Sequence, residues 1–399
     1  MNRPNAPLAG VRIADFTIHA AGPFCTHMLA QLGAECIKIE SRTRPDAFRK
    51  PHAVYGRMQA ATFDQVSANK LSVRLNLKQP EAVALAKRLV SVSDIAAQSF
   101  RPGVMKRLGL DFDDMREVKK DIVLLSLSSC GQSGPDSHFA GYAPLFGAWG
   151  GLGWMSGYSD GPPMEMRHVM DHSAGLHAAL ATMAALHQRR RTGQAQHVDL
   201  AAREVASAMI GDALVLASVG ATPARPGNSD LTMAPHGVYA TSKPDRWLTI
   251  AVRSDAEWQA LTGVLEQGGG DARFSTAAGR LLHRDALDAL LTQWLAPFDA
   301  DEMAARLQQA RVCAHVSWNM QDIASDAHLR ERGAVTQVSS PDIPSRCAVG
   351  APARFRRTDD VGIRRLTPAL GEDEDYVFGE LLGLDSEQRA DLEAREIIS

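Results

Sequence analysis

The sequence predicts an α/β protein with a doubly wound, Rossmann-like large domain and a smaller α+β domain. In the amino-terminal part, short apolar runs alternate with segments of helical spacing, which is typical of parallel strands joined by helices. Further along, a hairpin pattern is followed by helical segments, which indicates a separate α+β core. A chain of 399 residues, of which 45% are hydrophobic and 22% charged, is long enough to bury two such cores.

The large domain begins with a βαβ unit. The run Gly10–Asp15 predicts a strand, residues 24–32 have helical spacing, and Glu35–Glu40 predicts a second strand. A unit of about thirty residues implies parallel pairing of its strands. The alternation continues with strands predicted at 71–77, 94–98 and 121–128 and a helix at 80–92. The unit lacks the GxGxxG pattern of dinucleotide-binding domains, which argues against an NAD-dependent dehydrogenase.

The domain boundary is predicted within 221–229, a stretch rich in Pro, Gly and Asn. Residues 1–220 then form part of the large domain, and residues 221–325 form the small α+β domain. A hairpin is predicted over Val238–Val252, where Lys243-Pro244-Asp245 supplies the turn. Helices of the small domain are predicted at 255–265, 284–294 and 301–310.

Composition excludes several classes of protein. A formal net charge of −3 argues against nucleic acid as the main partner. The 5 cysteines include no CxxC pair, so we expect free thiols in a reducing cytoplasm. No run of apolar residues is long enough to span a membrane, and the first eight residues do not form a signal peptide. His168 and His172 are four residues apart, but no carboxylate or cysteine completes a zinc set, so no metal is expected.

Asp171 is the most informative single residue. It follows a Gly- and Pro-rich stretch, 157–163, and precedes a helical pattern that includes Leu176 and Leu180. A carboxylate at such a position can cap the helix, which is typically worth ~1 kcal/mol. It can also serve as a nucleophile for a substrate that the preceding loop admits. The spacing alone leaves both interpretations open.

Motifs distributed over nearly the whole chain resemble the class III CoA-transferases, the family of formyl-CoA transferase and carnitine CoA-transferase. The resemblance is carried by Pro7-Leu-Ala-Gly-Val-Arg-Ile-Ala-Asp15, Leu32-Gly-Ala-Glu-Cys-Ile-Lys-Ile-Glu40, Asn69-Lys-Leu-Ser-Val-Arg-Leu-Asn-Leu-Lys78, Ser99-Phe-Arg-Pro-Gly103, Gly131-Gln-Ser-Gly-Pro135 and Pro235-His-Gly-Val-Tyr239. It implies an interlocked, ring-like homodimer. It also implies that 1–220 binds CoA and that the carboxyl-terminal segment, 326–399, returns to the large domain.

The resemblance also implies the roles of particular residues. Asp171 matches the family's catalytic aspartate, which would form an acyl anhydride and then an aspartyl-CoA thioester. The residues implied to contact CoA are His19, Ala20, Ala21, Leu75, Lys78, Phe100 and Arg107, with Arg42 in place of an arginine that often follows the strand-ending Glu. Lys78 and Arg107 would bind the phosphates of CoA. The alternative is that both are ordinary solvated charges at the protein surface. CoA would enter as a thioester substrate, with no tightly bound cofactor.

Some residues depart from the family pattern. An acid that often follows the Tyr of the Gly-Tyr motif is replaced by Ala143, and an Asn before Phe100 is replaced by Ser99. The stretch 142–152 is unusually apolar and is predicted to be a loop over the site. Trp149 in this stretch and the nearby Trp154 either line the pocket or pack in the core or the dimer interface. An aromatic-lined pocket would favour a carboxylic acid bulkier than succinate as acceptor, with succinyl-CoA as donor.

Two other functions are compatible with the same motifs. A 2-methylacyl-CoA racemase of this superfamily would need a catalytic His after the Gly131–Pro135 motif, where Gly141-Tyr142-Ala143 stands instead. A non-catalytic partner subunit of a heteromeric transferase would not need Asp171. The relatives that act on aryl-substituted succinates can be heteromeric, so a second, related chain is an alternative to the homodimer.

Overall fold

The computed structural model describes residues 5–49, 61–221, 223–267, 271–340, 343–358 and 360–399. The chain forms two compact units. The larger unit contains Met1–Gly153, Glu165–Gly220 and Asp326–Ser399, and the smaller contains Trp154–Met164 and Ala221–Ser325. The predicted α/β class is confirmed, because the larger unit is built on a parallel sheet covered by helices on both faces.

The described residues of the larger unit form a 6-stranded sheet in the order β3-β2-β1-β4-β5-β6, and each neighbouring pair is parallel. The strands are β1 (Arg12–Phe16), β2 (Glu35–Glu40), β3 (Lys70–Arg74), β4 (Ile95–Gln98), β5 (Val123–Ser128) and β6 (Gln196–Ala201). The order reverses between β1 and β4. In open parallel sheets, ligands bind outside the carboxyl ends of the strands at such a reversal.

Helices cover the two faces of this sheet. They are α1 (Ala21–Gln31), α2 (Ala61–Ser67), α3 (Pro80–Ser91), α4 (Val104–Arg107), α5 (Phe112–Val118), α6 (Ala143–Gly150), α7 (Arg167–Thr192), α8 (Ala202–Ala208) and α9 (Gly211–Ser218). Alternate strand residues point to opposite faces. Ile13 therefore packs with Leu29 of α1 and Ala174 of α7, whereas Ala14 packs with Leu85 of α3 on the other side.

The smaller unit has an antiparallel sheet in the order β7-β8-β9. Its strands are β7 (His236–Ala240), β8 (Trp247–Ala251) and β9 (Cys313–Val316), and its α-helices are α10 (Asp255–Val264), α11 (Ala277–Leu282), α12 (Arg284–Leu295), α13 (Ala300–Gln309) and α14 (Met320–Ser325). The pairing of β7 with β8 confirms the predicted hairpin. Its core contains Leu248, Ile250 and Leu291.

The carboxyl-terminal segment contributes α15 (Ala327–Glu331), β10 (Val335–Ser340), β11 (Ile343–Val349), a π-helix (Asp375–Leu381) and α16 (Ser386–Ala394). Val377, Phe378 and Ile398 are buried in the same cluster as the apolar residues of β2 and β3. Arg74 at the end of β3 forms a forked pair with Glu374, with N–O distances of 2.8 and 2.7 Å. These residues therefore complete the core on one face of the amino-terminal sheet.

Two local predictions differ from the structure. Much of the stretch 142–152, predicted as a loop, is helix α6, because Pro144 lies in its first turn and Gly151 ends it in the left-handed region with φ 86°. Helix α7 begins at Arg167, four residues before Asp171. Over the described ranges, no helix is both long and apolar enough to cross a membrane.

Candidate active site

Several of the predicted CoA-contacting residues follow the carboxyl ends of strands of the parallel sheet. The turn His19-Ala20-Ala21 follows β1, Leu75 follows the outermost strand β3, and Phe100 follows β4. Because these strands are parallel, the three segments lie along the same edge of the sheet, and the His19 turn and Phe100 flank its reversal point. Leu75 is buried, and Phe100 is half-buried. The sheet order thus places at one edge residues that are far apart in the sequence.

The turn after β1 has an unusual backbone. His19 has a φ of 65°, in the left-handed region that non-glycine residues rarely adopt. Its ring lies 6.1 Å from that of Phe48 and 5.9 Å from that of Tyr142. Helix α1 begins two residues later, and no side chain caps its first turn. The free N–H groups of a helix start are suited to an anionic ligand.

The predicted phosphate-binding side chains lie at the surface. Lys78 and Arg107 are exposed, and neither has a carboxylate partner among the residues that the structure describes. Arg42 is also exposed, and its guanidinium lies 3.7 Å from Glu393 of α16. A surface pair of this kind contributes little to stability, so Arg42 remains available to a phosphate.

Asp171 is not the cap of α7. The residue at the cap position is Met166, whose side chain makes no capping hydrogen bond, and Asp171 lies in the second turn. Gly175 is one turn further along the same face. A Cβ at Gly175 would lie 2.8 Å from the carbonyl oxygen of Ala21 and 2.9 Å from the ring of Phe24. The face of α7 that carries Asp171 therefore packs closely against the start of α1, beside the His19 turn.

The Asp171 carboxyl is half-buried, and within the described residues it accepts no hydrogen bond. Burial raises its pKa to about 6, against a smaller opposing effect of His172 and His168. A carboxylate in the first turn of a helix would be held ionised by the helix dipole. The pKa of Asp171 shifts in the opposite direction, because Asp171 lies beyond the first turn and is partly removed from water without gaining a donor among the described residues.

The two tryptophans have different surroundings. Trp149 is partly buried against the core between the sheet and α7. Its ring packs so closely on Gly141 that a Cβ at that glycine would lie 2.5 Å from the ring. Trp154 belongs to the smaller unit, is 56% exposed, and lies 4.8 Å beneath the guanidinium of Arg225. The packing of Trp149 agrees with the core alternative.

Sequence analysis missed a set of buried charges under the His19 turn. Asp15, Lys38 and Lys70 are fully buried and pair with one another or with Asp46. The feature of the sequence that could have revealed this set is Lys38, a lysine between apolar residues in the middle of strand β2. Across the described ranges, no group of three or more His, Cys, Asp or Glu is placed to hold a metal ion.

Comparisons with known proteins agree with this geometry. The chain matches the family described as CoA-transferase family III over residues 8–374. It is 31% identical over 402 residues to a succinyl-CoA–D-citramalate CoA-transferase of Chloroflexus aurantiacus, covering 99% of each chain. It is 28% identical to the beta subunit of a succinyl-CoA–L-malate CoA-transferase of the same species, covering 98% of each.

The fold has a solved counterpart. The crystal structure of a CAIB/BAIF family protein from Brucella suis matches with a TM-score of 0.87 and 28% sequence identity, covering 94% of this chain and 100% of that one. The family match extends over most of the residues, and the Chloroflexus relative matches essentially from end to end. The protein is a member of the class III CoA-transferases.

Proposed function

We propose that this enzyme moves CoA from an acyl-CoA donor to a carboxylic acid acceptor through covalent intermediates on Asp171. The observation that carries the proposal is the position of the Asp171 carboxyl. It is half-buried, accepts no hydrogen bond from the described residues, and lies on the face of α7 that contacts the start of α1. A carboxylate whose lone pairs are unoccupied is suited to attack a carbonyl carbon.

The proposed reaction has four balanced steps. An Asp171 oxygen attacks the acyl carbonyl, the C–S bond breaks, and CoA leaves as the thiolate. The thiolate then attacks the Asp171 carbonyl carbon of the anhydride, which releases the donor acid and leaves an aspartyl-CoA thioester. The acceptor carboxylate attacks that thioester and expels the thiolate again. The thiolate finally attacks the acceptor's carbonyl, which gives the new acyl-CoA and restores the Asp171 carboxylate.

The raised pKa of Asp171 is compatible with this role. With a pKa of about 6, most of the carboxyl is still ionised at pH 7. Because the described residues supply no hydrogen-bond donor, the ionised oxygens are poorly stabilised in the ground state. This favours nucleophilic attack, since formation of the new bond removes the buried charge.

CoA would be bound at the carboxyl edge of the sheet. The backbone of His19, Ala20 and Ala21 would contact the thioester arm, while Leu75 and Phe100 supply apolar contacts. Lys78, Arg107 and Arg42 would bind the phosphates, and the first turn of α1 adds N–H groups. The exposure of all three cations supports this assignment, as does the lack of a carboxylate partner for Lys78 and Arg107 among the described residues.

The names of the relatives guide the choice of substrates. Succinyl-CoA is the donor in the name of several of them, and D-citramalate is the acceptor named for one. We propose succinyl-CoA as donor and a carboxylic acid bulkier than succinate as acceptor. Branched, hydroxylated and aryl-substituted dicarboxylates are the acceptors to compare.

We further propose that the enzyme is a homodimer. Leu176 and Leu180 of α7 are exposed by 48% and 64%, and Leu214 and Val215 of α9 by 63% and 65%. Large apolar side chains exposed in groups on a helix are typical of protein interfaces. A heteromer with a related chain is the alternative, because one relative is named as a beta subunit. Activity of the purified chain alone at the mass of a dimer would support the homodimer.

The covalent step is tested by trapping. The protein is incubated briefly with succinyl-CoA, treated with hydroxylamine, digested and examined by mass spectrometry. We expect a hydroxamate on the peptide that contains Asp171, and none in Asp171→Asn. Asp212→Asn, an exposed aspartate on α9, is the matched control and should leave the adduct unchanged. The absence of any adduct across a panel of donors, together with exchange of the α-proton of a 2-methylacyl-CoA, would favour the racemase instead.

A further inference from the structure

Four neighbouring strands each direct one polar side chain to the turn before α1. Asp15 comes from β1, Lys38 from β2 and Lys70 from β3, and Ser99 directly follows β4. These strands are adjacent in the order β3-β2-β1-β4. The four side chains therefore converge on one turn although they come from separate segments of the chain.

Asp15 and Lys70 fix the two ends of the turn. One Asp15 oxygen accepts from the backbone N–H of Thr17 at 2.9 Å and from its hydroxyl at 2.5 Å. The other accepts from Lys70 at 2.9 Å and from Thr26 at 2.8 Å. Lys70 also donates to the carbonyl oxygen of Pro23 at 3.0 Å. One ion pair thus ties the residue after β1 to the first turn of α1.

Lys38 and Ser99 fix the residues in between. The ammonium of Lys38 donates to the carbonyl oxygen of Thr17 at 2.8 Å. The hydroxyl of Ser99 accepts from the N–H of Ile18 at 2.9 Å and donates to the carbonyl oxygen of Ile18 at 3.1 Å. All backbone polar groups of the two residues before His19 are therefore bonded to side chains of the sheet.

This arrangement leaves little room for movement. A Cβ on Gly22 would lie 2.8 Å from Thr17 and 3.0 Å from Ser99, so α1 starts in contact with the turn. Asp15, Lys38 and Lys70 are fully buried, and each charge has an opposite charge beside it. A buried ion pair adds little net stability, but it tolerates only a narrow range of geometries. Such a set is suited to hold His19 in its left-handed conformation.

We infer that Asp15, Lys38, Lys70 and Ser99 are positioning residues for CoA binding, because together they set the backbone of the His19-Ala20-Ala21 turn. The inference rests on the proposed function in one respect, namely that this turn contacts CoA. None of the four needs to touch CoA. They act by presenting backbone groups in one conformation, so that CoA does not have to order them on binding.

Ser99→Ala tests the inference without creating a buried unpaired charge. It removes both hydrogen bonds to Ile18 and leaves the ion pairs in place. Ser93→Ala is the control, since Ser93 precedes the amino end of β4, is more deeply buried than the half-buried Ser99, and donates one hydrogen bond of 2.7 Å to the carbonyl oxygen of Leu89. We expect Ser99→Ala to raise the Kd of CoA and the KM of the acyl-CoA donor by about tenfold while kcat changes by less than about twofold.

A purely structural role would give another pattern. Ser99→Ala and Ser93→Ala would then lose thermal stability alike and keep the same Kd for CoA, which would overturn the inference. Binding of CoA is measured directly by calorimetry, so the result does not depend on turnover. If the wild-type protein binds CoA but transfers none, the proposed function fails and the inference stands. If it binds no CoA, the inference fails.

The ion pair provides a second test. Asp15→Asn combined with Lys70→Met replaces two opposite charges together, so neither partner is left unpaired. We expect a folded protein whose Kd for CoA is raised by at least about tenfold, and Lys70→Arg alone to be closer to the wild type. A folded double variant with the CoA affinity of the wild type would contradict the role of this pair.

Discussion

Asp15 and Asp171 lie on two elements that both contact the segment before and at the start of α1, but their surroundings are opposite. Asp15 is fully buried and accepts hydrogen bonds from Thr17, Thr26 and Lys70. Burial alone would raise its pKa, but Lys70 and Lys38 lower the pKa to about 2. Asp171 is only half-buried, yet within the described residues it has no donor, and burial raises its pKa to about 6.

The difference shows that burial does not decide the role of a carboxylate. The role depends on whether the carboxylate oxygens, once removed from water, accept hydrogen bonds from protein donors instead. At Asp15 they do, and the group is an inert part of the fold. At Asp171 the described residues supply no donor, and this difference supports the nucleophilic role proposed for the group. Two titratable groups whose environments move their pKa values apart usually have different functions.

The largest effect is expected from Asp171→Asn. The amide keeps the size of the side chain but cannot form the anhydride, so kcat should fall by a factor on the order of 10³ or more. The Kd of CoA should change by less than about threefold, because the proposed CoA contacts lie on the His19 turn and not on Asp171. Steady-state transfer assays and calorimetry measure the two quantities. Transfer within about tenfold of the wild type in a folded variant would contradict the nucleophilic role.

Asp15→Asn should give the second-largest effect, on stability. It leaves the fully buried Lys70 without its counter-charge, which typically costs about 3–5 kcal/mol. Urea denaturation of the variant and of Asp212→Asn, an exposed aspartate, measures the difference in the free energy of unfolding. A loss as small as that of the exposed control would show that the Lys70 charge is accommodated in some other way.

The sequence located Asp171 and most elements of the parallel sheet, but not the surroundings of either aspartate. Strand β2 was predicted with its observed limits, because Glu35–Glu40 is a short segment with a β-branched and cysteine-containing centre that follows the glycine ending a helix. Strand β6 was not predicted. Its residues alternate between exposed and half-buried positions, a pattern that an edge strand shares with a loop segment. Local patterns of this kind depend only on neighbours in the chain.

The buried charges depend on neighbours in space. Lys70 meets Asp15 because β2 alone separates β3 from β1, and Lys38 meets Thr17 because β2 is next to β1. These contacts depend on the order of the strands in the sheet, which the sequence of a single strand does not specify. For the same reason, the close approach of α7 to the start of α1 at Gly175 could not be read from either helix alone. The resemblance to a family indicated Asp171 as the candidate nucleophile without indicating its surroundings.

The smallest predicted effect is on how the free energy of unfolding depends on pH. Ionisation of the carboxyl lowers stability at Asp171 and raises it at Asp15. The pKa of Asp171 in the folded chain, about 6, exceeds its unfolded value of about 3.9. The native state therefore binds this proton more tightly, and ionisation of Asp171 reduces stability as the pH rises from about 4 to 6. Asp171→Asn cannot ionise, so at pH 7 it should be more stable than the wild type by ~1–3 kcal/mol.

The pH profile separates this effect from a general gain in stability. The advantage of Asp171→Asn should vanish below about pH 4, where the wild-type carboxyl is protonated in both states. Asp15 behaves in the reverse way, because its folded pKa of about 2 lies below the unfolded value. Its contribution is complete above about pH 4 and is lost as the pH falls towards 2. An advantage of Asp171→Asn that stays constant from pH 4 to 8 would mean that Asp171 carries no unfavourable buried charge, and the contrast between the two aspartates would then be one of hydrogen bonding alone.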